Sequence, residues 1–376
     1  MRTRTLAAAG AAAGAAAFLA PGVLLSRMLH RAGFDPASDR LPAPFSVRIT
    51  AIAPGRITLR RGPAGAPGAH REPGRYLLEA ARGRAFLGPV LESNGVVAIR
   101  EFAHLDGDLR VGDYARLDPF AFPGDPREAH GIDFDEIDVP APLGRFPAWY
   151  IPGRRETWAV MVHGKGANRR ETLRLLPLLV EAGYPSLAIT YRNDEGCPPA
   201  PHGRYTYGRD EYEELEAAVR FAIELGARRI LLVGYSMGGA ICLSFMERSN
   251  FASRTAGFIF DAPMLDLRST VAHGARQRRI PLWYLAVSNR IAARRYRFSW
   301  DDFDYRRTAM DLQVPVLLFH GDADPTVPVA TSDALAAARP DIVRYVRVPG
   351  AGHVRAWNVD PEGYADAVRA FLAALE

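Results

Sequence analysis

The chain has 376 residues, 48% of them hydrophobic, which is enough for one large domain plus a smaller one. Its formal net charge is +5, but Lys165 is the only lysine among 47 basic residues, a bias that indicates the base composition of the gene rather than a nucleic-acid partner. The two cysteines make no disulfide framework and no metal-ligand spacing occurs, so we expect no nucleic acid, metal or cofactor.

The amino terminus combines a basic start with a long uncharged stretch. Arg2 and Arg4 precede residues 6–25, which carry no charge and are rich in Ala and Gly. About 20 apolar residues suffice to cross a bilayer. Residues 1–33 are therefore predicted to be a signal anchor or a cleaved signal peptide. The first alternative predicts a membrane-anchored protein with an extracytoplasmic catalytic domain, and the second predicts a secreted one.

Short strand-like runs broken by Gly and Pro follow as far as about residue 132. The clearest of these runs are residues 45–50, 56–60, 75–79 and 95–100. Their alternation and spacing favour an antiparallel arrangement. We predict a small β-rich accessory module over residues 34–132, without any cluster of side chains that suggests chemistry.

From residue 133 onward, buried apolar runs alternate with helical patterns. A hairpin over residues 140–152 precedes the runs 158–162, 185–190, 230–233, 256–260, 314–319 and 342–348. This alternation predicts a mostly parallel sheet with helices on both faces, and we assign it to a catalytic domain over residues 133–376.

An insertion rich in Arg and aromatic residues, 264–309, interrupts this alternation. It lies between two strands of the predicted sheet, so it must pass over their carboxyl ends. We expect it to form a helical cap that shapes the substrate pocket. The alternative is an insertion that only packs on the domain, with its arginines extended toward solvent.

The apolar run 230–233 is followed by G-x-S-x-G at residues 234–238 and then by a helical pattern. A serine between a buried strand and a helix must sit on a sharp turn, which the flanking glycines allow. The turn holds the Ser236 hydroxyl at the carboxyl end of the strand, beside the positive end of the helix. Ser236 is therefore the candidate nucleophile.

A serine hydroxyl needs a general base, and the base needs an orienting acid. His353 follows the last strand in a Gly-rich segment suited to a loop that reaches back over Ser236. Asp324 follows the penultimate strand and is the preferred acid. Asp322 beside it and Asp261, which ends the preceding strand, remain alternatives.

These motifs together resemble the α/β-hydrolase superfamily over residues 137–376. The motifs are His163-Gly-Lys-Gly166, the G-x-S-x-G turn, His320-Gly-Asp-Ala-Asp-Pro-Thr-Val-Pro328 and Gly352-His353. Within the superfamily the chain is most similar to the prolyl-oligopeptidase-like and membrane-anchored bacterial esterases. Neither the β module nor the Arg-rich insertion is covered by the resemblance.

The resemblance implies an α/β-hydrolase fold with Ser236 as nucleophile, His353 as general base and Asp324 as the acid that orients it. It also implies an oxyanion hole made by the backbone N–H groups of Lys165 and Met237. We expect a serine hydrolase that cleaves small-molecule or lipid-like esters, or amides, without a cofactor. An aminopeptidase-like or acyltransferase activity on the same residues, and a non-catalytic binding protein with a retained fold, are the alternatives.

Overall fold

The computed structural model describes residues 43–375 and 33–40, together with Leu24, 26–28 and Arg31. The predicted anchor over residues 6–25 lies, except for Leu24, outside the described residues, and so does the predicted cleavage of a signal peptide. Among the residues that the structure does describe, no helix is both long and apolar enough to span a bilayer. The Ala- and Gly-rich stretch offers little apolar surface, and Arg27 and Arg31 follow it. We correct the predictions of a membrane anchor, a membrane partner and an extracytoplasmic location accordingly.

The first part of the chain closes into a six-stranded antiparallel barrel, with strand order β1-β2-β5-β4-β3-β6. Its strands are β1 (Val47–Ala53), β2 (Arg56–Arg61), β3 (Tyr76–Ala80), β4 (Gly83–Ser93), β5 (Val97–Gly107) and β6 (Tyr114–Asp118). Alternate residues point inward, as the period of two requires, and Ile49, Leu59 and Leu78 fill the barrel interior. Closure by pairing of β1 with β6 leaves this small sheet without exposed edges.

A single eight-stranded mixed sheet forms the rest of the framework, in the order β14-β13-β12-β11-β9-β10-β8-β7. Its strands are β7 (Asp135–Ala141), β8 (Gly144–Ile151), β9 (Thr157–Val162), β10 (Ser186–Ala188), β11 (Arg229–Tyr235), β12 (Thr255–Asp261), β13 (Val316–Gly321) and β14 (Val343–Val348). Strand β8 pairs antiparallel with both of its neighbours, β7 and β10. The strands from β9 to β14 run parallel to one another.

Helices cover both faces of this sheet. They are α1 (Pro126–His130), α2 (Leu176–Glu181), α3 (Tyr212–Glu224), α4 (Met237–Arg248), α5 (Leu267–Gln277), α6 (Leu282–Tyr296), α7 (Arg306–Met310), α8 (Ala330–Ala338), α9 (Ala356–Val359) and α10 (Pro361–Ala374). Leu232 of β11 packs in the core shared with α3 and α4, whereas its neighbours Leu231 and Val233 pack in the core shared with α2 and α10. Burial on both faces explains why the strand is a continuous apolar run.

The predicted fold class is confirmed: a mixed α/β sheet, an N-terminal β barrel and a helical insertion between β12 and β13. The insertion contains α5 and α6, and its Phe298 stacks on Phe34 with ring centroids 5.3 Å apart. Phe34 is only 6% exposed and lies in the core on one side of the large sheet. The domain boundaries given above stay predictions.

Candidate active site

Ser236 occupies a strained turn between β11 and α4. Its φ of 50° lies in the left-handed region that non-glycine residues rarely adopt. The turn is fixed because the Ser236 N–H donates to the Asp261 carbonyl at 3.0 Å and the Ser236 carbonyl accepts from Met264 N–H at 3.0 Å. Gly238 is required, since a Cβ there would overlap the Val162 carbonyl oxygen of β9.

The structure brings Ser236, His353 and Asp324 into one hydrogen-bonded line. His353 Nε2 lies 2.8 Å from Ser236 Oγ, and His353 Nδ1 lies 2.7 Å from Asp324 Oδ2. These are distances at which an imidazole can take the hydroxyl proton while a carboxylate fixes its orientation. The three residues come from the loops that follow β11, β14 and β13, so they meet at the carboxyl edge of the parallel strands.

Asp324 is buried and fully engaged. Its Oδ1 accepts hydrogen bonds from the backbone N–H groups of Thr326 at 2.7 Å and Val327 at 2.9 Å. Its Oδ2 lies 3.1 Å from His320 Nε2 as well as beside His353. Burial by itself would raise the pKa of Asp324, but the hydrogen bonds from the two histidines outweigh it and hold the pKa well below its usual range. Asp324 is therefore an anion at neutral pH.

The two alternative acids make no contact with His353. Asp322 Oδ1 accepts from the Gly350 N–H at 2.7 Å and supports the turn of that loop. Asp261 is 2% exposed, and neither of its carboxylate oxygens has a hydrogen-bond partner among the described residues. Burial raises the pKa of Asp261 to about 6, although nearby Arg174 acts in the opposite direction. The geometry thus favours Asp324 over both.

The loop that carries His353 is held by a buried arginine that the sequence did not reveal. Val354 has a φ of 52°, an unusual conformation for a β-branched residue. The Val354 carbonyl accepts from Arg174 Nη1 at 2.7 Å. Arg174 ends the 3₁₀ segment Arg169–Arg174 and is the charge that directly precedes the apolar run 175–180. That charge was the only sequence signal for its role.

Residues 163–166, after β9, form a loop above Ser236, here called the oxyanion loop. A Cβ added at Gly164 would lie 3.2 Å from the Ser236 Cβ, so this backbone is in contact with the serine. The Gly164 N–H donates to the buried carboxylate of Glu171 at 2.7 Å. Met237 is the first residue of α4, and a first-turn N–H has no partner inside its own helix. Lys165 directly follows Gly164 and Met237 directly follows Ser236, and the oxyanion hole that the resemblance implies for their N–H groups stays a prediction.

The Lys165 ammonium is paired with the carboxylate of Asp39. Its Nζ lies 2.9 and 2.7 Å from the two carboxylate oxygens of Asp39. It also lies 5.3 Å from the centroid of the Tyr205 ring. Asp39 was not identified from the sequence, because nothing local marks a residue 126 positions away as a partner.

The other two histidines of the motifs, His163 and His320, are buried and hydrogen-bonded to neighbouring side chains. His163 is fully buried, and its Nε2 lies 2.9 Å from Asp194 Oδ2. Burial by itself would lower the pKa of His163, but the adjacent Asp194 carboxylate outweighs it and raises the pKa. His320 Nδ1 lies 2.7 Å from Ser332 Oγ, which leaves its other nitrogen directed at Asp324.

Ser236 and His353 line a cavity of about 530 Å³, a size typical of small-molecule sites. Its walls are the oxyanion loop, the loops after β13 and β14, and four barrel-side residues: Glu72, Pro73, Tyr76 and Phe120. None of the described residues that line it belongs to 264–309, although His273 Nε2 of α5 lies 3.1 Å from the Asp324 carbonyl oxygen, so a role of the insertion as a cap stays a prediction. The apolar residues of the insertion are instead used in packing against Phe34 and its neighbours.

Two further loop stretches, 191–195 and 205–209, are absent from the walls of this cavity. Asn193, Asp194, Glu195 and Tyr205 line a neighbouring cavity of about 750 Å³. The two cavities share Phe120, Gly166 and Ala167 in their walls. Within the described part of the chain, no group of three or more His, Cys, Asp or Glu side chains is arranged to hold a metal ion.

A comparison with protein families agrees with the α/β sheet and helices described above. A family model described as the alpha/beta hydrolase family matches residues 159–367, more than half of the chain. The chain therefore belongs to the alpha/beta hydrolase family, and the predicted superfamily is confirmed.

The relatives are distant. Uncharacterized proteins of Mycobacterium tuberculosis strains CDC 1551 and H37Rv are each 27% identical over 247 residues, which cover 61% of this chain and 75% of the relative. The esterase Pf2001 of Pyrococcus furiosus, in its P21 crystal form, has a TM-score of 0.53 at 19% identity and covers 67% of this chain and 96% of its own. At that identity the similarity shows the fold alone.

Proposed function

We propose that this protein is a serine esterase that hydrolyses carboxylic esters through an acyl-enzyme on Ser236. The observation that carries the proposal is the line of contacts from Ser236 Oγ through His353 to Asp324, at 2.8 and 2.7 Å, on a strained turn. The similarity in fold to a protein described as an esterase supports it.

In this mechanism Ser236 Oγ attacks the ester carbonyl as His353 Nε2 takes its proton. The negative charge on the carbonyl oxygen is stabilised by the N–H groups of Lys165 and Met237. His353 then gives the proton to the leaving alcohol, and the ester carbonyl carbon stays bonded to Ser236. A water molecule, deprotonated by His353, attacks this acyl-enzyme, and the acid leaves as Ser236 recovers its proton. Asp324 holds the imidazole and stabilises its protonated form.

The test is Ser236→Ala assayed with p-nitrophenyl butyrate and a fluorophosphonate probe. We expect turnover to fall about 10⁴-fold or more and labelling to disappear, because the three groups act as a unit. An unchanged melting temperature is the control for folding. Turnover and labelling at the wild-type level in the variant would exclude Ser236 as the nucleophile. A wild-type protein that neither turns over esters nor reacts with the probe would favour a non-catalytic binding protein.

A further inference from the structure

Residues on the barrel side line the Ser236 cavity, whereas no described residue of the helical insertion does. Pro73 and Tyr76 lie just before and at the start of β3, and Phe120 follows β6. These three residues contribute to the wall of the cavity. The accessory barrel is thus in contact with the space where a substrate of Ser236 must lie.

The barrel wall of the cavity has a fixed backbone. Arg100 of β5 is completely buried, and its guanidinium donates to the Glu72 carbonyl at 2.7 Å, to the Gly88 carbonyl at 2.9 Å and to the Gly74 carbonyl. Burial lowers the pKa of Arg100 to about 10, so it remains a cation at neutral pH. Charge-assisted hydrogen bonds of this kind are strong, and they hold residues 72–74 in place.

The same wall is joined directly to the His353 loop through Asn358 of α9. Asn358 is fully buried, and its Nδ2 donates to the carbonyls of Arg75 at 2.7 Å and Pro119 at 2.9 Å. Its Oδ1 accepts at 3.0 Å from Arg174, the residue that also holds the Val354 carbonyl. The position of the barrel wall relative to His353 is therefore set by hydrogen bonds at both cavity-lining segments, 73–76 and 119–120.

Phe120 stands where the two cavities meet. Its N–H donates to Asp118 Oδ1 at 2.9 Å, and the Arg170 guanidinium lies 5.4 Å from its ring centroid. Arg170 is itself fixed by an ion pair with Asp118 at 2.6 Å. The ring is thus held in position, only half-buried, and it lines both cavities.

We propose that the barrel is the substrate-selecting half of the active site and that Phe120 contacts the hydrocarbon part of the ester. This inference rests on the proposed function. Aromatic rings contribute large apolar area with little conformational freedom, which suits them to such contacts. The substrate class is an uncharged ester with an apolar chain of several carbons, which extends from Ser236 between Phe120 and the oxyanion loop.

The test compares full-length wild type, Phe120→Ala and Phe120→Leu with p-nitrophenyl acetate and p-nitrophenyl hexanoate. We expect Phe120→Ala to lower the ratio of kcat/KM for hexanoate over acetate about tenfold, because only the longer chain reaches residue 120. Turnover of acetate should stay within about threefold, and Phe120→Leu should keep most of the preference. The matched control is Tyr114→Ala, which removes an exposed barrel aromatic that does not line the cavity.

Three outcomes would overturn the inference. An unchanged ratio in Phe120→Ala, with acetate turnover and melting temperature at the wild-type level, would show that the ring does not contact the ester. An equal loss for both esters would assign Phe120 to loop support instead. A wild-type protein that neither turns over esters nor reacts with a fluorophosphonate would contradict the proposed function itself. If the wild-type protein is labelled but Phe120→Ala leaves the ratio of kcat/KM for hexanoate over acetate unchanged, only the role of the barrel is contradicted.

Discussion

At the scale of single residues, Asp261 and Asp324 differ in their surroundings and therefore in their pKa. Asp261 ends β12, and Asp324 follows the neighbouring strand β13. Asp324 receives hydrogen bonds from two histidines and two backbone N–H groups, and its pKa is held low. Asp261, one strand away, has no hydrogen-bond partner for its carboxylate in the described part of the chain, and burial raises its pKa to about 6. In the proposed mechanism the imidazolium of His353 needs an anion beside it, and of the two aspartates only Asp324 is in contact with His353.

We predict that Asp261→Asn stabilises the protein at neutral pH and preserves activity. A carboxyl with a raised pKa in the folded state binds its proton more tightly there than in the unfolded chain, so its ionisation costs stability as the pH rises from about 4 to 6. At about 1.4 kcal/mol per pKa unit, this cost is about 3 kcal/mol above pH 6. The variant should therefore gain free energy of unfolding at pH 8, and the gain should vanish by pH 4.

Urea unfolding of both proteins at pH 4 and pH 8 measures this difference. Asp324→Asn is the matched contrast, since it should lose about 10⁴-fold in kcat by leaving the imidazole in the wrong tautomer. A gain in stability of Asp261→Asn that is the same at both pH values would rule out ionisation as its cause. A loss of activity larger in Asp261→Asn than in Asp324→Asn would move the acid to the earlier strand.

At the scale of elements, the oxyanion loop shows how a short segment can be positioned from outside its own domain. Its backbone contacts Ser236, its Gly164 N–H is bound by Glu171, and its Lys165 side chain is paired with Asp39. The resemblance implied a role for the backbone N–H of Lys165 and none for its ammonium. The contact with Asp39 assigns the ammonium to the loop's support.

We predict that Lys165→Ala keeps turnover within about tenfold of wild type, while Lys165→Pro loses about 10²- to 10³-fold by removing one oxyanion donor. Asp39→Asn should match Lys165→Ala in kcat, and the double variant should lose no more than either single one, because the two side chains act through one contact. Ester turnover of all four variants is the measurement, with the melting temperature of Lys165→Pro as the control. A fall in Lys165→Ala as large as in Lys165→Pro would mean that the ammonium itself takes part in the reaction.

At the scale of the whole molecule, the barrel and the large sheet form one unit around the cavity. Asn358 bonds to two barrel-side segments, and Arg174 connects it to the His353 loop. The ion pair of Arg170 with Asp118 adds a second connection between the two parts, beside Phe120. Stability and active-site geometry are therefore linked through buried polar contacts between the two parts.

We predict that Asn358→Ala lowers the free energy of unfolding by about 3 kcal/mol, because it leaves two carbonyls and part of a buried guanidinium without partners. The control is Asn94→Ala, in an exposed barrel turn, which should cost about 1 kcal/mol or less. Chemical denaturation of both variants is the measurement. Equal effects of the two substitutions would argue that the contact between barrel and sheet carries little energy.

Local patterns in the sequence determined the fold class and the candidate nucleophile and base. Alternating apolar runs and helical segments specify a parallel sheet because each strand must be covered on both faces, and G-x-S-x-G between a strand and a helix specifies a sharp turn. His353 and Asp324 were identifiable because loops after parallel strands share one edge of the sheet. The barrel was visible only in part: β4 is interrupted by Gly88 and Pro89, and β6 has five residues, so neither gave a clear strand pattern.

Only the tertiary structure decided which parts of the chain surround Ser236. The contact of Lys165 with Asp39 spans 126 residues, and that of Asn358 with Arg75 spans 283. Such contacts leave no periodic trace in the sequence, since they depend on how complete elements pack. The insertion 264–309 carries the aromatic residues expected of a cap, yet its Phe298 packs on Phe34 and none of its described residues lines the cavity. The barrel covers the cavity instead because Asn358 and Arg100 fix its wall beside His353, and packing of this kind exists only once the whole chain has folded.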